Sequence, residues 1–265
     1  MVKLIICTFL FFSNLVFSKT LIISDIDDTL KIAHVKDIPD AIAHAYQTRS
    51  YFKAMAPFLR LLLQDIKNSK LVYLTNANEK LFSKSHTSLL KNGRFPPGKI
   101  FFKKDLSDPN HKRRTLELLI RSFKPTNIIL LGDNGENDLI YYNEVYEKYN
   151  NRINIYQYIR TIYNKKDTKN LFAEQVPFIS PVNIALDLMR KNLVKKEQMS
   201  YFIKQVAYRS INEKTKIKFR PMFFPNWIDC SLHKWNFKTS IKHLHKALKS
   251  LDSFYKKLCF SPSYQ

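Results

Sequence analysis

Residues 24–30 read Ser24-Asp25-Ile26-Asp27-Asp28-Thr29-Leu30 and directly follow the apolar run Leu21-Ile22-Ile23. Crowded carboxylates repel one another, so something must compensate them. In extended backbone, residues i and i+2 point to the same side. Asp25 and Asp27 therefore converge, Ile26 turns into the packing, and Asp28 points elsewhere as a turn or cap residue. Two converging carboxylates in an enclosed crevice need a cation, and oxygen-only ligands suggest Mg²⁺. Beside Mg²⁺, one carboxylate can attack phosphorus while its neighbour, as a carboxylic acid, protonates the leaving alkoxide and later activates water. An acidic turn capping the next helix is the plainer alternative.

Working outward, short apolar runs alternate with helical patterns. Strands are expected at Thr20–Ser24, Leu71–Leu74, Lys99–Phe102, Asn127–Leu131 and Ile153–Ile159. Helices are expected at Phe52–Ile66, at Glu79–Leu90 closed by Asn92-Gly93, from near Asn110 to Phe123, and at Asn137–Lys148. Strand–helix alternation with continuous apolar strands predicts an α/β fold, a parallel sheet covered on both faces. Ligands of such sheets bind outside the carboxyl ends of the strands.

The residues just past each strand therefore matter. Thr75, after Val72-Tyr73-Leu74, is placed to hold a phosphate oxygen. Lys112, at a helix start, is placed to neutralise nucleophile and phosphate together, with Lys103 and Lys104 as rivals. Asp133, in Gly132-Asp133-Asn134-Gly135, is placed to complete a Mg²⁺ shell. Glu136 or Asp138 would orient it from behind or act through a water. Asn76 and Asn134 are further supporting or alternative positions.

The order D-x-D-x-T, Thr, Lys, Gly-Asp resembles the haloacid dehalogenase (HAD) superfamily of phosphotransferases. DIDDT at 25–29 matches its first motif, Thr75 the second, Lys112 the third, and Asp133 with Asp138 the fourth. SDIDDTLKIAHV (24–35), DPNHKRRTLELLIRSF (108–123), LLGDNGENDLIYYNEVYEKY (130–149) and QVPFISPVNIALDL (175–188) are similar to the catalytic domain of the actin-patch-protein type of phosphatidate phosphatase. The likeness runs over about residues 20–190. It implies a three-layer, Rossmann-like parallel sheet. It also implies Asp25 as nucleophile and Mg²⁺ ligand, and Asp27 as acid/base with its backbone carbonyl on the metal. Thr75 would bind phosphate, Lys112 would balance charge, and Asp133 would bind Mg²⁺. The second motif departs from the subfamily: it reads YLTNAN where a Ser-Gly-Ser-Pro-like turn is more usual. The stretch between Leu30 and Ala56, where the superfamily often inserts a cap, has room for a small cap or none, which leaves the site open to a bulky substrate.

The chain has 265 residues, 45% hydrophobic and 25% charged, which is globular material. Its net charge of +22 favours an anionic partner, either a membrane surface, a phosphorylated substrate or nucleic acid, or else marks a generally basic surface. No recognised nucleic-acid motif accompanies it. Residues 1–18 carry Lys3 followed by an apolar run from Leu4 to Phe17, with Val16 and Ser18 as small-residue positions, so a secretory signal cleaved after Ser18 is expected. An uncleaved anchor or a buried segment is the alternative. Cys7 would leave with the signal, and Cys230 and Cys259 would remain as a disulfide or as two free thiols. Residues 19–194 are expected to form the catalytic domain and 195–265 a basic, mainly helical extension. That extension comprises a basic helix at Lys195–Ile211, an irregular stretch at Pro221–Trp235, and an amphipathic helix at Ser240–Leu258. The last helix would lie on an anionic bilayer or pack against the catalytic domain.

Three readings follow from the sequence. The first is a secreted Mg²⁺-dependent phosphatidate phosphatase releasing diacylglycerol and phosphate. The second is a secreted HAD phosphatase for soluble phosphomonoesters. The third is a non-catalytic surface-binding module on a HAD scaffold.

Overall fold

The computed structural model describes residues 19–163, 170–212, 237 and 239–259. The expected export segment, the irregular stretch at 221–235 and Cys230, and with it the disulfide expectation, lie outside the described residues.

Six strands, β1 (Thr20–Ser24), β2 (Ser69–Asn78), β3 (Lys99–Lys103), β4 (Asn127–Asp133), β5 (Asn154–Arg160) and β6 (Gln175–Phe178), form one sheet in the order β3-β2-β1-β4-β5-β6. Every pairing is parallel. β1 and β4 are buried along their whole length, which is why they read as unbroken apolar runs. β6 was not expected as a strand. It is short, carries Pro177 and sits at the sheet edge, where a missing N–H is tolerated.

The helices are α1 (Ile38–Ala45), α2 (Met55–Asp65), α3 (Glu79–Asn92), α4 (His111–Phe123), α5 (Asp138–Tyr149), α6 (Pro181–Arg190), α7 (Lys196–Asn212) and α8 (His245–Cys259). Leu21, Ile23, Val72, Leu74, Ile128 and Leu130 face one way, onto Leu116 and Ile120 of α4 and Leu139 and Val145 of α5. Ile22, Tyr73, Ile129, Leu131 and Tyr158 face the other way, into a core built with α2, α6, α7 and α8. These are the three layers predicted. The strand order turns back at β1, and Ser24 stands level with Tyr73 of β2 on one side and Leu131 of β4 on the other. The crevice of such a sheet opens at that reversal, beyond the carboxyl ends.

Two regions beyond the sheet bear on function. Between β1 and α2 the chain forms α1, a helix with no buried residue, in place of a large cap. It presents Ile38 and Ile42, 72% and 67% exposed, one turn apart. At the other end of the chain, the helix expected at 240–258 forms as a 3-10 turn, Lys242–Leu244, followed by α8. Its apolar side is not on the surface. Leu244, Leu248, Leu251 and Tyr255 are buried in the same core as β1 and β2, together with Met199, Phe202, Ile203 and Val206 of α7. The packing alternative for this helix is the one observed. No helix among the described residues is long and apolar enough to cross a membrane.

Because α8 shares the core, Leu251→Ala is expected to cost about 2–5 kcal/mol of stability. Urea unfolding in a single transition with a lowered midpoint would show it. An unchanged midpoint would mean that α8 stands apart from the catalytic core.

Candidate active site

The site assembles from the ends of three strands. Asp25 follows β1 directly, and its N–H donates to the Leu131 carbonyl at 2.8 Å, which ties the first loop to β4. Asp133 is the last residue of β4. Asp138 opens α5. One carboxylate oxygen from each of Asp25, Asp133 and Asp138 lies within 4.8 Å of the others. Gly132 makes this approach feasible: a Cβ there would stand 2.6 Å from Asp138 Oδ2.

Lys112, in the first turn of α4, is fully buried and reaches into the cluster. Its Nζ donates to Asp25 Oδ1 at 2.7 Å, to Asp138 Oδ1 at 2.7 Å and to Glu136 Oε2 at 3.1 Å. Lys112 rather than Lys103 or Lys104 therefore faces Asp25. Burial works against its charge, but Asp138, Asp25 and Glu136 outweigh that and hold its pKa well above the ordinary lysine value. Asn76 Nδ2 donates to Glu136 Oε2 at 2.8 Å, so the Glu136 side chain joins the second loop to Lys112, while its backbone N–H donates to Asp133 Oδ1 at 3.3 Å. Asn134 does not face the cluster's centre. Its Oδ1 accepts from Ile162 N and Tyr163 N, and its Nδ2 donates to the Tyr163 carbonyl, which pins the loop after β4 to the end of β5.

Four carboxylates gather about one ammonium, which bonds three of them, and the imbalance shows. Asp25 and Asp133 have pKa values well above the ordinary range and Asp138 above it, chiefly through burial, with mutual repulsion adding to it. Asp25 Oδ2, Asp133 Oδ2 and Asp138 Oδ2 are buried without a hydrogen-bond partner. Three orphaned oxygens on converging carboxylates are the donor set of a hard divalent cation. The residues present fit such an ion.

Asp27 is placed differently from the sequence reading. Its carboxylate does not join the cluster of Asp25, Asp133 and Asp138, and the chain turns sharply just after it, at Asp28, where φ is 55°. Asp27 Oδ2 instead accepts from His86 Nε2 at 2.9 Å and from Thr75 Oγ1 at 3.2 Å, and Lys31 Nζ stands 3.7 Å from Oδ1. Burial pushes its pKa up, but His86 and Lys31 overcome this and leave it below the ordinary value. The Thr75 hydroxyl expected to meet phosphate is thus engaged with Asp27, and it accepts from Ala77 N at 3.0 Å.

Asp28 is more than a turn residue. Its carboxylate accepts from Ala33 N, His34 N and Val35 N at 2.8–2.9 Å and from the Tyr163 hydroxyl, closing the first loop on itself. Arg160, fully buried between Phe52 and Phe178, donates to the Thr29 carbonyl at 3.0 and 3.2 Å. His86, Lys31, Tyr163 and Arg160 were not foreseen. His86 and Tyr163 lie outside the strand-end motifs, and Lys31 in the first loop and Arg160 at the end of β5 stand where a lone Lys or Arg carries no role of its own.

A family model for the catalytic domain of phosphatidate phosphatase APP1 matches residues 20–161, more than half of the chain. The span holds β1 to β5 and Asp25, Asp27, Thr75, His86, Lys112, Asp133, Glu136 and Asp138, with Tyr163 just beyond its end. No curated protein matches the chain.

Asp25, Asp133 and Asp138 have folded-state pKa values above the ordinary 3.8, so the stability they contribute is present below that pH and is lost as pH rises toward the raised values. A divalent cation, which binds the ionised forms, offsets that loss. Mg²⁺ is therefore expected to raise the melting temperature more near neutral pH than near about pH 5. Asp133→Asn should remove most of the rise. An equal shift at both pH values would rule out this cluster as the binding site.

Proposed function

We propose a function on one premise: the chain belongs to the family of the phosphatidate phosphatase APP1 catalytic domain. The function is Mg²⁺-dependent hydrolysis of phosphatidate to diacylglycerol and phosphate through an aspartyl-phosphate on Asp25. The observation that carries it is the pairing of a buried, Lys112-bound Asp25 with an all-oxygen cluster whose Oδ2 atoms are unpartnered.

Asp25, Asp133 and Asp138 would hold the ion, and when bound it cancels the repulsion between a carboxylate nucleophile and a phosphate dianion. Lys112 orients Asp25 and stabilises its ionised form. Asp25 attacks phosphorus as the bond from phosphorus to the glycerol oxygen breaks and the electron pair leaves with that oxygen. Asp27 gives the leaving oxygen a proton. In the second half, Asp27 takes a proton from water, the water oxygen attacks the same phosphorus, and the bond to Asp25 breaks, restoring the carboxylate. His86 and Lys31 favour ionised Asp27 in the free protein. The charge of an arriving phosphate raises its pKa again, as an acid that later becomes a base requires.

The lipid reading draws support from α1. Ile38, Ile42 and Tyr46 are exposed, and Tyr46 lies 5.9 Å, ring to ring, from Phe82 near the start of α3. An apolar ridge follows the catalytic loop where a bilayer-held substrate would approach. This assigns peripheral membrane contact to α1 in place of α8, whose apolar side is buried.

Phosphate release from phosphatidate in vesicles is expected to need Mg²⁺ and to vanish in Asp25→Asn. Ile38→Asp with Ile42→Asp should slow hydrolysis in vesicles several-fold while sparing a short-chain soluble phosphatidate. Equal or faster turnover of soluble phosphomonoesters would transfer the assignment to a soluble substrate. Release of no phosphate from any ester would favour a binding module.

Export through residues 1–18 is the remaining part of the proposal and rests on their apolar run. Amino-terminal sequencing of protein recovered from the culture medium should begin at Lys19. Recovery confined to the cell, with Met1 retained, would overturn it.

A further inference from the structure

In the reaction proposed above, Asp27 first gives a proton and then takes one. Both steps need one carboxylate oxygen directed at the reacting centre and clear of competing partners. The surroundings of Asp27 divide its oxygens in this way. Oδ2 accepts from His86 Nε2 at 2.9 Å and from Thr75 Oγ1 at 3.2 Å. Among the described residues, Oδ1 has Lys31 Nζ as its nearby charge, at 3.7 Å, beyond hydrogen-bond range. That ammonium donates instead to the Ala45 carbonyl at 2.8 Å. The Asp27 side chain keeps 15% of its surface exposed, whereas Asp25 keeps 1%.

The imidazole is built into place. His86 is 1% exposed and lies about two turns into α3. Its ring meets Phe102 edge-on at 5.8 Å and Phe82 at 6.1 Å. Its other nitrogen has Ser85 Oγ at 3.5 Å, too distant to compete for the ring's orientation. The start of α3 is fixed in turn by Asn78, whose Oδ1 accepts from Lys80 N and Leu81 N while its Nδ2 donates to the Lys104 carbonyl. A buried polar ring with one short hydrogen bond orients the group at the other end of that bond.

We infer that His86 is the positioning residue for Asp27, pinning Oδ2 so that proton transfer to and from the substrate runs through Oδ1. This rests on the acid–base role of Asp27 in the proposed function. With Thr75 alone, a single hydroxyl at 3.2 Å would hold Oδ2. The carboxylate could then turn about its last torsion and exchange the two oxygens. His86 acts through Asp27 and touches no reacting atom.

The consequence depends on the leaving group. An aryloxide departs without needing a proton, whereas the alkoxide of a glycerolipid does not. Loss of the His86 contact therefore penalises alkyl esters selectively, while a merely structural defect lowers both alike. The measurement is kcat and KM, with Mg²⁺, on 4-nitrophenyl phosphate and on a short-chain phosphatidate. For His86→Leu, kcat on phosphatidate is expected to fall about tenfold or more beyond its fall on the aryl ester, a fraction of what general acid catalysis supplies, with KM little changed. His86→Asn, whose shorter amide cannot reach Oδ2, should reproduce the split if the leucine variant does not fold. His86→Gln, which places an N–H near the position of Nε2, should restore most of the loss. Leu89→Ala, a buried change on the same helix, should lower both substrates by one common factor.

A common loss on both esters for His86→Leu and His86→Asn overturns the inference. Asp27→Asn separates the two levels. If Asp27→Asn shows the alkyl–aryl split and the His86 variants do not, the positioning role alone falls. If Asp27→Asn shows no split, the acid–base role falls and the inference with it.

Discussion

The buried ammonium of Lys112, shared by Asp25, Glu136 and Asp138, is the contact about which the catalytic end of the sheet is organised. Its partners come from separate places: Asp25 from the end of β1, Glu136 and Asp138 from beyond β4, and Lys112 itself from the helix after β3. Removing one member of a buried charge group leaves the others uncompensated and costs several kcal/mol, about 3–5 in measured cases. The three loops are therefore held in one geometry by electrostatics as well as by packing. Yet the group is not neutral. Asp133 adds a further buried carboxylate, and burial raises the pKa values of Asp25, Asp133 and Asp138. Such a set of buried carboxylate oxygens fits a divalent cation.

Around this centre a second set of bonds fixes the loops from outside. Arg160 lies between Phe52 and Phe178 with ring centroids at 3.9 and 4.6 Å, and burial brings its pKa down to about 9. Its guanidinium donates to the carbonyls of Thr29 and Ile179, so the first loop is fastened to the segment after β6. Asp28 fastens the same loop to Tyr163, and Asn134 fastens the loop after β4 to Ile162 and Tyr163. Tyr255 of α8 is buried close enough to Arg160 for each to influence the other's charge. The described part of the basic extension thus helps close the pocket that steadies the catalytic loop.

What the sequence made legible follows from where its signals lie. β1 and β4 are buried on both faces, so their apolar runs marked the sheet, and the chemistry stands directly after them at Asp25 and Asp133. Thr75 was legible because it follows the apolar run within β2, a strand that extends beyond it to Asn78, and Lys112 because it stands in the first turn of a helix. α1 escaped because it is short and buries nothing, and β6 because four residues containing a proline have no strand period. The i, i+2 rule correctly placed Asp25 and Asp27 in one loop. It failed for their carboxylates because Asp27 is drawn to His86 and Thr75, partners that only the tertiary fold brings to it. His86, in a helix, and Arg160, at the end of β5, reach the first loop only through the tertiary fold, and nothing local in Ser85-His86-Thr87 or Ile159-Arg160-Thr161 announces it.

Asp25 and Asp27 show how one short loop can set two like side chains in opposite environments. Both side chains are carboxylates, and both experience burial, which favours the neutral form. Around Asp25 the neighbours are mostly acidic, and Lys112 offsets them only in part, so the pKa stays high until further positive charge arrives. Around Asp27 the neighbours are His86, Lys31 and the Thr75 hydroxyl, each favouring the ionised form, so the pKa falls. Environments that drive two like groups apart in this way suit them to different tasks, the two proposed for Asp25 and Asp27. The separation is one of partners: Asp25 meets Lys112, whereas Asp27 meets His86 and Thr75 just before the chain turns at Asp28. Asp28 holds that turn with three backbone N–H bonds and the Tyr163 hydroxyl. The third aspartate thereby fixes the loop on which the other two stand.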